Sequence, residues 1–75
     1  MPNDIITMDD MEGVFSITDA FGISREAVSV PLGKEDPGSV TKVKGVIEII
    51  IPKTTPLEDF LPVLDRTLRD LGYNP

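Results

Sequence analysis

The side chains of this chain that could carry chemistry are carboxylates, amines and hydroxyls, because it contains no histidine and no cysteine. That removes imidazole proton transfer, thiolate attack, disulfide staples and thiolate metal sites. Asp9-Asp10 and Glu58-Asp59 are adjacent carboxylates. Neighbours along a helix point to different faces, so these pairs suit helix N-termini better than acid–base work. A nucleophile would need a lysine or a carboxylate as its base, and no motif in the chain supplies one. Tyr73 is the sole tyrosine and stands close to the end of the chain. No calcium-loop spacing is present. The reading is a non-enzymatic protein with no catalytic residues, no metal ligands and no cofactor.

The remaining chemistry is charge. The net charge is −6, and it is unevenly placed. Residues 1–23 carry −5, residues 24–53 carry +1 and residues 54–75 carry −2. An acidic balance opposes non-specific binding to nucleic acid or anionic lipid. The middle third alone could face a phosphate backbone. Its candidate contacts are Arg25, Lys42 and Lys44.

Arg25 sits in a recognisable string, Ile17-Thr18-Asp19-Ala20-Phe21-Gly22-Ile23-Ser24-Arg25-Glu26-Ala27-Val28-Ser29. It resembles the core of helix-turn-helix DNA-binding proteins, in which a glycine turns the chain between two helices. Apolar residues there lie five before, one before, one after and six after that glycine. Ile17, Phe21, Ile23 and Val28 occupy those places here. The chain departs from the pattern at Thr18, where a small alanine is usual, and at Pro31, where an apolar residue seals the second helix. The resemblance implies that Ser24 caps a recognition helix and that Arg25 and Ser29 reach phosphate or base edges. The layout beyond it is similar to small winged regulators of the excisionase and MerR type. Lys42-Val43-Lys44-Gly45 resembles their wing tip, Ile51-Pro52-Lys53 the close of the wing, and Leu57-Glu58-Asp59-Phe60-Leu61 the start of the next helix.

The elements that must position these residues are clearest in the second half. Five of the six residues from Val46 to Ile51 are Val or Ile, whose stiff side chains favour a pleated strand. Pro52 closes that run, since it has no N–H for a ladder. The main strand is expected over about 45–51. Leu57, Phe60, Leu61, Leu64, Leu68 and Leu71 then recur at spacings of three and four, predicting a helix over about 57–71 with Thr55 as its cap and Gly72 just past its end. Pro62 is expected to split off a first turn at 56–60. In the first half, Thr7-Met8-Asp9-Asp10 has the form of a capping box. Residues 14–32 read two ways, as helix around Gly22 or as extended chain where Val28, Val30 and Leu32 alternate. Asp36-Pro37-Gly38 is a turn.

The fold class is α+β, one domain over 1–75 with a flexible arm at 1–6. It comprises an N-terminal helix-turn-helix-like segment, a β-hairpin and a C-terminal helix. The alternative is a ββα or βββα meander packed on that helix. No apolar run reaches the roughly 20 residues that span a bilayer, and the start lacks a basic signal-peptide region. The expected compartment is the cytoplasm of a bacterium or its phage. Two functions remain. One is a DNA-binding transcriptional regulator using residues 17–29 and the basic hairpin at 40–45. The other is an acidic inhibitor or adaptor that occupies the surface of a host protein. A homodimer is compatible with either, because so small a module supplies few contacts alone.

Overall fold

Thr7 starts the first helix. Its Oγ1 accepts the Asp10 N–H at 3.2 Å, and the Asp10 carboxylate accepts the Thr7 N–H at 2.8 Å, so the capping box closes reciprocally. The helix α1 runs Met8–Ala20 in the computed structural model, which describes residues 5–75. Val14 and Thr18 face inward, fully buried. Gly22, at φ 71°, stops the helix. Its N–H donates to Asp19 O and the Ile23 N–H reaches back to Thr18 O, a Schellman motif that turns Ile23 into the core. Of the expected arm, residues 1–4 lie outside the described residues. Ile5 and Ile6 are not loose: Ile5 bridges Gly33, and buried Ile6 donates its N–H to Leu32 O.

The recognition helix expected over 24–29 is absent. Ser24 does act as a cap, accepting the Glu26 N–H, but it opens only a single 3-10 turn, Arg25–Ala27. The chain then extends as β1, Val28–Ser29. The physical reason lies in the residues. Val28 and Val30 prefer extended backbone, and Pro31 drives Val30 out of the helical region. A strand edge nearby rewards that choice.

That edge belongs to β3, Val46–Ile50, which forms a hairpin with β2, Ser39–Val43. The strand order is β1-β3-β2, with β1 parallel and β2 antiparallel to β3. Three strands are therefore present, as in the alternative architecture, but the parallel pair excludes a simple meander. Lys44 and Gly45 form the hairpin turn with both φ values positive, at 52° and 82°, the pattern of a two-residue type I′ turn. Ile47, Ile49 and Ile51 point to the helices and are buried, while Ile50 lies on the opposite face, half-buried.

After the strand the chain is pinned rather than free. The Asp36 carboxylate accepts the N–H groups of Lys53 and Thr54 and the Thr54 hydroxyl. The helix α2, Leu57–Asp70, then starts at Pro56 with no side-chain cap, so Thr55 does not play the expected part. Nor does Pro62 split off a turn, because α2 runs through it. Pro62 stands on an exposed flank and removes one N–H, while Phe60, Leu64 and Leu68 of the same helix are buried. Gly72, at φ 102°, ends α2 with a second Schellman motif, in which Tyr73 N–H reaches Leu68 O. A β-carbon at Gly13 would stand against Leu57 and Leu61, and Arg69 lies over Phe21. The two helices therefore lie side by side and run the same way.

Candidate interaction surfaces

The parallel pairing of β1 with β3 carries residues 24–27 to the hairpin-turn end of the sheet. Arg25, Lys42 and Lys44 thus come to one end of the molecule, though not to one face. Arg25 is 2.9 Å from the Asp19 carboxylate, and its guanidinium lies 4.8 Å over the Phe15 ring. Its ion pair holds Asp19 below, and raises Arg25 above, the ordinary value. Lys42 pairs with Ile47 on the helix side of the sheet, its ammonium 5.0 Å over the Tyr73 ring. Lys44 occupies the turn. Ser29 pairs with Glu48 on the face turned away from the helices. The Ser24 hydroxyl is used as a cap. The five residues are exposed as expected, but they do not form one reading surface.

The best-buried charge is elsewhere. Asp10 meets Lys34 at 3.2 Å, with side chains only 10% and 15% exposed. Burial alone would raise the Asp10 pKa. The Thr7 N–H, the Lys34 ammonium and the Thr7 hydroxyl together outweigh it and hold the carboxyl below its ordinary value. Asp36 is lowered too, chiefly by the Thr54 N–H and then by Lys53. Carboxylates lowered in the folded state bind fewer protons there than in the unfolded chain. Their stabilisation is therefore complete above about pH 5 and is lost as pH falls through the depressed values. The urea midpoint should hold steady from neutral to mildly acidic solution and then decline. Asp10→Asn should flatten that decline most, and a midpoint that rises on acidification would contradict these assignments.

Between α1 and α2, on the side away from the sheet, lies a shallow groove, wide open to solvent and lined by Ile17, Glu58, Leu61, Pro62 and Asp65. Gly13 lets the helices approach at its upper end. A β-carbon there would stand 3.1 Å from Leu57 Cδ2 and 3.3 Å from Leu61 Cδ1. Pro62 has no N–H to offer the Glu58 carbonyl, the acceptor one turn earlier. Asp65 is held by Arg69 at 2.7 Å, whereas Glu58 has no ion pair among the described residues. A second concavity, about 390 Å³, lies on the other flank of α1 between Met8, Met11, Glu12, Phe15 and Arg25. Charges of both signs line it.

The groove escaped sequence reasoning because its walls are more than forty residues apart. Its traces were two residues that weaken helices, Gly13 and Pro62. Among the described residues no three acidic side chains gather as a metal site would require, and no helix is long and apolar enough to cross a membrane. Comparison with protein-family models, with curated proteins and with solved structures yields no match.

Proposed function

We propose that this protein is a non-enzymatic binding module that occupies the surface of another protein through the groove between α1 and α2. The observation that carries the reading is the groove itself: an apolar floor of Ile17, Leu61 and Pro62 left open beside two carboxylates. The acidic balance of −6 supports it, since such a surface repels phosphate backbones. So does the use already made of the basic residues. Arg25 is paired with Asp19 and Arg69 with Asp65. A DNA-binding regulator would need a recognition element, and residues 28–29 are committed to the sheet.

Pro62→Arg tests the reading. It fills the groove with a long cation and restores an N–H to the helix, so the fold should not suffer. Tagged wild-type protein should retain a protein partner from lysate, and Pro62→Arg should lose it. Ser29→Arg, on the far face, should keep it. Retention of duplex DNA at low salt, declining steeply as salt rises and indifferent to Pro62→Arg, would overturn the reading in favour of a regulator.

A further inference from the structure

The chemistry of the groove lining restricts what it can hold. Its polar side chains are Glu58 and Asp65, which accept hydrogen bonds and, when ionised, donate none; Asp65 Oδ1 already accepts the Arg69 Nε–H, which leaves its Oδ2 for an occupant. The Glu58 carbonyl adds a further acceptor, because Pro62 supplies no N–H to it. Ile17, Leu61 and Pro62 supply only apolar surface. The groove thus lacks donors, and its occupant must bring them. An acidic peptide or a phosphate would meet the Glu58 carboxylate, unpaired among the described residues, and an Asp65 whose one cation, Arg69, is already engaged.

The shape restricts it again. Both walls are helices, whose backbone groups are mostly satisfied internally, so the groove offers no edge to which a strand could add. An α-helix satisfies its own backbone and lays side chains into such a channel. The α1 wall presents Ile17, and one turn earlier Gly13 adds no side chain of its own where the helices meet at Leu57 and Leu61. At 13 residues α1 is about 20 Å long, enough to hold between three and four turns of a third helix. On the α2 wall Glu58 and Asp65 stand seven residues apart, two turns along the same side. A helix lying alongside would meet them with residues of the same spacing.

From this we infer that the groove takes a basic amphipathic helix, an apolar ridge on Ile17, Leu61 and Pro62 with lysine or arginine side chains two turns apart against Glu58 and Asp65. The inference rests on the protein-binding reading and names the chemistry of its partner. Long flexible cations suit the site, because they cover apolar surface with their stems while their heads reach the carboxylates.

The probe is a synthetic helix of about four turns, built of leucine and lysine in an amphipathic pattern with a single tryptophan on its apolar face. The protein has no tryptophan of its own, so the emission reports the peptide alone. The leucine–lysine peptide should bind one to one with a blue-shifted emission, and a leucine–glutamate peptide of the same pattern should not bind. Glu58→Gln with Asp65→Asn should weaken binding about tenfold or more and remove most of its salt dependence. The thermal midpoint should scarcely move, since the Asp65–Arg69 pair is exposed. Amide shifts on binding should fall along residues 13–20 and 57–65. No binding, equal binding of the glutamate peptide, an unaffected double variant, or shifts centred on Met8, Met11 and Phe15 would each overturn the inference. If Pro62→Arg still loses the lysate partner while the lysine peptide is ignored, the protein-binding reading stands and the basic helix does not.

Discussion

Leu64→Ala should destabilise the protein by about 2–5 kcal/mol. Leu64 sits midway along α2 and is fully buried in the cluster that includes Val14, Ile47 and Ile49. Removing its branched end forfeits the burial of three carbons and leaves a void between helix and sheet that the surroundings fill only in part. A chain of 75 residues has a small core and stability near the low end of about 5–15 kcal/mol. The variant should therefore be largely unfolded in urea concentrations that leave the wild type intact, as read by far-ultraviolet circular dichroism. A loss under about half a kcal/mol, the size expected of a surface change, would show that α2 is not packed on the sheet as described.

Gly38→Ala should cost about 2–4 kcal/mol, although it adds a single methyl group. Gly38 has φ 79°, a conformation that costs any other residue. The space is closed as well. A β-carbon there would lie 2.8 Å from Pro52 Cδ and 2.9 Å from the Ile50 carbonyl oxygen. Neither neighbour yields cheaply. Pro52 is fully buried, and Ile50 belongs to the central strand. Gly45→Ala is the control, since Gly45 has φ 82° but nothing within 4 Å of its β-carbon position. It should cost only the conformational part, about 1 kcal/mol. The difference between the two denaturation curves measures the close packing of the 36–39 turn against Pro52. Equal losses would mean that this contact is absent.

The parts of the fold that were legible in the sequence are those whose information is local. The run Val46–Ile51 carries its own strand signal, and the leucines of α2 carry their own period, so both elements lie within a residue of their expected bounds. The capping box at Thr7 and the glycine stop at Gly72 are equally local. Residues 24–32 are different. The apolar spacing around Gly22 fits a helix-turn-helix, but it fits equally well a Schellman stop that sends Phe21 and Ile23 into a core. What decides is the pairing of Val28 with Ile47, nineteen residues away, and a local pattern does not contain it. Pro62 misleads for the converse reason, because its local penalty is outweighed by tertiary burial of the helix that holds it. Ser24, Arg25, Ser29, Lys42 and Lys44 were legible as exposed residues. Their dispersal over different faces depends on strand order.

Photo-crosslinking from a benzophenone side chain placed at residue 62, and separately at residue 29, compares the two candidate faces in living cells. Pro62 and Ser29 are both exposed, so either site accepts the label without disturbing the core. A protein adduct from position 62, with none from position 29 and no nucleic acid attached at either, is the expected result. A DNA adduct from position 29, with nothing captured at position 62, would contradict it.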